Sequence, residues 1–234
     1  MNVKFYTECE QLRQFQFNGT DYVVAPNNNQ NYHIEIKNPY TRKAVVVTSV
    51  DGLSVMTGRP ASINDSGYIV DGSRSITIHG WRTSDEKIAQ FVFSDKSSSY
   101  AVRSGQSAEN VGVIGIYIVP EKYNYVYPNR LKKWPINPTI YWDAVNMSSN
   151  ILRGCAKELS ESIGTAFGKE VFDKVNTVTF DRDTNEHTHL TFHYDTAEGL
   201  IAKGIPRFLV YGEPKPWPGD NNNYCKPPVS SYNV

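Results

Sequence analysis

Between Tyr32 and Val119 the chain breaks into short apolar runs separated by Gly, Asp, Asn and Ser, and almost no helical periodicity interrupts them. That pattern requires many short strands joined by tight turns, the signature of an antiparallel sandwich or barrel. Tyr32, Ile34 and Ile36 alternate with polar residues and predict a strand with one buried face. Ala44 to Val50 is a continuous, mostly β-branched run, as in a central strand covered on both sides. Asp51-Gly52 predicts a hairpin turn into Leu53, and Asp71-Gly72 a second turn after the strand Tyr68-Ile69-Val70. Arg74 to His79, Ile88 to Phe93 and Val111 to Val119 complete the set, with Ile76 and Ile78 directed inward.

The flanks read differently. Residues 1–30, with a short strand candidate at Tyr22-Val23-Val24 and the run Asn27-Asn28-Asn29-Gln30-Asn31, are expected to form an N-terminal arm. Residues 31–211 form the β-sandwich domain, mainly antiparallel and compatible with a jelly roll. It carries a Tyr/Trp/Pro-rich insert at 120–146 and a helix at 148–163, whose Ile151, Leu152, Cys155, Leu159 and Ile163 share one face. Val175 to Phe180 and His189 to Tyr194 are expected to pair as a hairpin. Ala197 to Lys203 is a short helix closed by Gly204 and Pro206, and Arg207 to Tyr211 a last strand. Residues 212–234, with five Pro and four Asn, are expected to be an extended C-terminal arm.

Composition narrows the functional classes. With 24 basic and 24 acidic residues the formal net charge is zero, so there is no basic field for nucleic acid. The polar N-terminus lacks the apolar core of a signal peptide, and no apolar run reaches transmembrane length, so synthesis in a host cytoplasm and no membrane contact are expected. Cys9, Cys155 and Cys225 form no CxxC pair. Cys155 falls on the apolar helix face and the other two in the arms, where free thiols or links between neighbours are the alternatives.

His187, His189, His193 and Asp195 fall on one face of an extended strand, but His189 and His193 are about 13 Å apart at roughly 3.3 Å per residue. One ion cannot bridge that gap, so a solvated strand face is the better reading and no metal site is expected. Asp51 with Asp65 or Asp71 supplies carboxylates in turn positions, where turn formation is the commoner role. Gly-x-Ser-x-Gly, His-Glu-x-x-His and Walker motifs are absent from the sequence, so neither catalytic residues nor a cofactor is expected. Trp81 and Arg82 lie at a strand end, where the guanidinium stacks on a ring or pairs with Asp51 or Asp85 in a structural corner.

A set of short motifs carries a resemblance. Ser49-Val50-Asp51-Gly52, Thr57-Gly58-Arg59-Pro60-Ala61-Ser62, Gly67-Tyr68, Gly80-Trp81-Arg82, Ser99-Tyr100-Ala101 and Asn110-Val111-Gly112-Val113-Ile114-Gly115 occur in that order. Gly164-Thr165-Ala166-Phe167-Gly168 follows, then Tyr194-Asp195 and Gly204-Ile205. The chain resembles an uncharacterised family of β-sandwich proteins from bacteria and bacteriophages, which implies no established chemistry and no catalytic residue. The combined expectation is a non-enzymatic virion component: a phage capsid decoration, minor capsid or other virion-associated protein. It would work as a homo-oligomer or on a lattice, against the major capsid protein or neighbouring copies. The expected contact surface is Tyr125, Tyr127, Trp134, Tyr141, Trp142, Trp217 and Tyr224. The alternative is a module that binds glycans or a host surface, with Trp81, Trp134, Tyr141 and Trp142 as stacking platforms.

Overall fold

Val3, Phe5 and Thr7 alternate with Lys4 and Tyr6, and that period of two makes the N-terminus a strand rather than an arm: β1 (Val3–Thr7) buries the first set and exposes or half-buries the second. The computed structural model describes residues 2–26, 29–123 and 163–212. After β1 the chain crosses to a second sheet and forms β2 (Gln14–Phe17) and β3 (Thr20–Ala25). Asn18 and Gly19 join them with φ of 50° and 80°. Two left-handed residues in succession match the twist of a tight hairpin, and Asn-Gly is the dipeptide that adopts them most readily. The expectation of an arm over 1–30 is therefore corrected. The Asn run misled it; the strands end before those residues begin.

The next strands are β4 (Asn31–Lys37), β5 (Ala44–Val50), β6 (Leu53–Ser54), β7 (Tyr68–Val70), β8 (Ser75–Ile78), β9 (Gly80–Ser84), β10 (Lys87–Asp95) and β11 (Val113–Pro120); all but β9, which has no counterpart among the expected strands, follow the sequence pattern. A short α1 (Tyr100–Arg103) is capped by the Ser99 side chain. The third part of the chain contributes β12 (Ile163–Phe172), β13 (Thr188–Thr196), α2 (Ala197–Ala202) and α3 (Arg207–Tyr211).

Two sheets result. The first has six strands in the order β1-β4-β10-β12, with β8 beside β4 and β9 beside β10. The second has seven, in the order β2-β3-β13-β11-β5-β6, with β7 beside β5. The protein is thus mainly β, with two packed sheets and short helices, as its alternating pattern predicts. One pairing departs from the antiparallel rule: β3 and β13 run parallel, Tyr22 opposite His193 and Val24 opposite Asp195.

Two further corrections concern the third part. Residues 175–180 form no strand; the two sides of β13 are taken by β3 and β11 instead. Arg207–Tyr211 is helical, not extended: Pro206 enters it at φ −59°, Gly212 leaves it at φ 86°, and Val210 packs down with Leu200 and Ile205. The helix expected at 148–163 lies outside the described residues except for Ile163, which opens β12; the insert 120–146 and the C-terminal arm lie outside them from 124 and 213 onward.

The inner faces close a single core that includes Phe5, Ile34, Ile36, Val46, Phe91, Phe93, Ile114, Ile116 and Phe192. Phe5 meets Phe192 edge-on across the gap at 5.1 Å, and within the six-stranded sheet Trp81 meets Phe91 at 5.3 Å. A smaller cluster of Leu200, Ile205 and Val210 lies under α2 and α3, against Phe15, Phe17, Tyr22 and Val24 on the back of the second sheet.

The strand faces are directly testable. Ile34 has no exposed surface, whereas Ile63 is 53% exposed. Ile34→Asp should abolish soluble expression or lower stability by several kcal/mol, because an unpaired charge enters the core. Ile63→Asp should stay within about 0.5 kcal/mol of the parent in a denaturant melt.

Candidate functional site

Asp51 ends β5 and begins the β5–β6 hairpin with φ of 52°, followed by Gly52 at 79°. Its carboxylate is buried, with the residue 2% exposed. Oδ1 accepts from the Gly112 backbone N–H at 2.9 Å and from the Tyr194 hydroxyl at 2.6 Å. Oδ2 accepts from the Thr165 N–H at 2.7 Å. The Thr165 hydroxyl lies 2.7 Å from Tyr194 Oη and 2.7 Å from Tyr32 Oη. Since Tyr194 gives its proton to the carboxylate, Thr165 must donate to Tyr194 and Tyr32 to Thr165. Every hydroxyl proton in the chain then points toward Asp51. Asp51 and Tyr194 belong to the seven-stranded sheet, Thr165 and Tyr32 to the six-stranded one, so the network ties the two layers through the core.

Burial raises the Asp51 carboxyl from its ordinary 3.8 to about 6, while the Tyr194 hydroxyl, the two N–H groups and Lys96 pull it down. Tyr32 and Tyr194 are both pushed well above the usual phenol value, first by burial and then by the Asp51 charge. The three partners that reach the carboxylate oxygens are internal groups. Asp65 is occupied elsewhere, accepting from the Ser62 N–H at 2.9 Å, and Asp71 sits 4.0 Å from Lys43 on the surface. Neither carboxylate joins Asp51 as an acid–base pair, and the arrangement acts as a tie between sheets.

Tyr125, Tyr127, Trp134, Tyr141, Trp142, Trp217 and Tyr224 all lie outside the described residues, as do Cys155 and Cys225; Cys9 is exposed. Trp81 is 2% exposed, packed on Phe91 and on Tyr100 at 5.0 Å, so it offers no ring face to a ligand. Arg82 does anchor a corner, but not through Asp51 or Asp85. It donates to Tyr68 Oη at 2.8 Å and pairs with the Asp173 carboxylate at 3.3 Å.

The histidine strand divides. His187 and His189 are exposed and rest against Tyr117 at 5.2 and 6.2 Å. His193 is half-buried beside Tyr22 at 5.9 Å, and burial followed by the Lys203 charge lowers its pKa. Asp195, expected on the same solvated face, is instead fully buried under α2. It pairs with Lys203 Nζ at 2.6 Å and accepts from the Thr196 N–H at 2.8 Å. A Cβ at Gly199 would stand 2.5 Å from this carboxyl group, so only glycine lets α2 close over it. Among the described residues no group of three or more His, Cys, Asp or Glu side chains is placed to hold a metal ion.

The feature sequence reasoning missed is an open edge. Strand β12 has ten residues and pairs only with β10. The other sheet margins are shielded or short. The outer side of β1 is bonded by the Leu12 N–H to the Phe5 carbonyl at 2.8 Å and by the Gln14 side chain to the Val3 carbonyl at 3.2 Å. The margins of the second sheet are strands of four, two and three residues. The first three residues of β12 are buried, and the Ile163 and Thr165 N–H groups already bond Asp195 and Asp51, so among the described residues its open stretch runs over residues 166–172, which carry Phe167 at 45% and Phe172 at 73% exposure. Gly168 inside this run disguised it in the sequence. A β-bulge sits there, Phe167 facing Phe91 while Glu170 faces Ala89, so two residues oppose Gln90 and the period of two is broken.

No helix among the described residues is long and apolar enough to cross a membrane. Comparison of the chain with models of known families, with curated proteins and with solved structures returned no match.

The buried tie makes a pH prediction with a definite sign. A carboxyl held near 6 in the folded chain and near 3.8 unfolded favours the folded state most below pH 4. That contribution, on the order of 3 kcal/mol, is lost as pH rises through about 6. The Asp51 carboxyl carbon resonance should titrate near pH 6, and Tyr194→Phe should move its midpoint higher by removing a donor to the ionised form. A midpoint at or below pH 4 would show a hydrated carboxylate instead.

Proposed function

We propose that the protein is a non-enzymatic structural component of a virus particle, a capsid decoration or minor capsid protein of the kind carried by bacteriophages, and that it works through protein–protein contacts. One observation carries this reading: beyond its buried start, β12 runs over residues 166–172 as a sheet edge with two phenylalanines turned to solvent. A long edge of this kind is a template for added strands, and folded proteins that stay free usually blunt it. In an assembly the same edge is an asset, because backbone hydrogen bonds supply affinity and the flanking side chains supply selection.

Three further features fit. The buried carboxylates Asp51 and Asp195 are held by internal partners, which suits a rigid body that presents its surface. The balance of 24 basic and 24 acidic residues gives no net self-repulsion between close copies. The ordered motifs around Asp51-Gly52 and Gly80-Trp81-Arg82 resemble proteins of bacteria and their phages. Copies would meet each other or the major capsid protein in a symmetric array, after synthesis in the host cytoplasm.

Particles purified from an infected culture should contain the protein at a fixed copy number by quantitative mass spectrometry. Phe172→Lys should leave the melting curve within about 0.5 kcal/mol of the parent, since the side chain is exposed, yet reduce incorporation severalfold. Absence of the protein from purified particles would sink the virion role; full incorporation of the variant would sink the assignment of the edge.

A further inference from the structure

The outer face of the six-stranded sheet carries a row of three rings: Tyr6 on β1, His33 on β4, and His79 between β8 and β9. The register sets them side by side, because Tyr6 pairs with His33 and Ile34 pairs with Ile78, one step before His79. Ile34 and Ile78 face the core, so the two imidazoles project from the opposite side. His33 is half-buried and His79 exposed. Their ring centroids are 5.0 Å apart with planes at 41°. Tyr6 stacks on His33 at 5.3 Å and 13°, which holds that imidazole in place.

We infer that His33 and His79 form a two-imidazole chelate for a divalent transition-metal ion of the copper(II), nickel or zinc class. Metal–nitrogen bonds of about 2.0–2.1 Å place two ring centroids roughly 4.5–5.2 Å apart at bite angles between 90° and tetrahedral. The observed centroid separation of 5.0 Å falls within that span. Two neighbouring strands hold the ligands, so little side-chain freedom is lost on binding. Glu35 lies two residues along β4 on the same face and contributes negative potential, with Lys4 and Thr77 beside it in the register. The exposed side of His79 leaves the remaining coordination positions to water or to a carboxylate of another molecule.

Packing alone does not account for the pair. Tyr6 and His33 already make a stacked cross-strand contact, and a second imidazole adds like-charge repulsion whenever both rings are protonated. A shared cation turns that juxtaposition into an attraction. The other histidine pair is a built-in contrast. His187 and His189 are two residues apart on one chain segment, about 6.6 Å along an extended backbone, and each packs on Tyr117 rather than on the other.

Nitrogen-donor sites favour copper(II) over nickel and zinc, so copper is the first probe. Tag-free full-length protein titrated with copper(II), then with nickel and zinc, should bind one ion per chain in calorimetry, and the copper complex should show nitrogen hyperfine coupling in its electron paramagnetic resonance spectrum. His79→Gln and His33→Gln should each weaken binding about tenfold or more with the fold intact by circular dichroism. The double variant His187→Gln, His189→Gln should bind as the parent does. Absence of saturable binding, binding untouched by His79→Gln, or loss of the ion in the His187/His189 variant would overturn the assignment.

Discussion

A single buried carboxylate holds the two layers of this protein in register. Asp51 gathers an amide from the approach to β11, an amide from β12 and a phenol from β13, and through Thr165 it reaches Tyr32 on β4. A hydrophobic core alone is non-directional and tolerates sliding of one sheet over the other. Hydrogen bonds at 2.6–2.9 Å in a dry interior do not, because any shift strands a donor or a charge. The carboxylate itself is strained electrostatically, as its elevated pKa records. Specific alignment is thus held against a desolvation penalty, and the aromatic contacts Tyr32–Phe93 and Phe93–Tyr194 pack around the tie it maintains.

The same device recurs at smaller scale. Asp195 sits one residue after Tyr194, so alternate side chains of β13 face the core tie and the back of the sheet. Its pairing with Lys203 fastens α2 over the second hydrophobic cluster. One strand therefore organises both the sandwich interior and its helical cover. The edge of β12 belongs to the opposite sheet; its buried start is bonded into this framework through Ile163 and Thr165, and its open part runs over residues 166–172.

How much of this was legible in the sequence depended on whether a strand obeyed the period of two. From Tyr32 to Val119 it mostly did, and apart from β9 the strands there match their expected spans closely, including the Asp51-Gly52 hairpin. Three errors have causes of their own. The N-terminal strands were hidden by Gln and Asn nearby, although Asn18-Gly19 is a strong hairpin signal. β12 was hidden by its bulge at Gly168, where side-chain alternation slips by one. Arg207–Tyr211 has strand-like composition, yet packing against β2 and β3 rather than edge pairing decided its form. The roles of Asp51 and Asp195 were illegible for a more general reason. A turn aspartate and a core aspartate look alike until partners from distant segments, 143 and 114 residues away for Asp51, are brought to them.

The parallel pairing of β3 with β13 has a consequence for how the protein is made. β3 ends at Ala25, and its partner spans Thr188–Thr196. During translation the β2–β3 hairpin leaves the ribosome early, with only a marginal two-stranded ribbon to sustain it. It must then wait for most of the polypeptide to be synthesised before the second sheet can close around it. Long-range closure of this kind makes for slow folding and a nascent chain with bare strand margins. Late closure of the second sheet follows from topology alone, whatever the finished molecule assembles with.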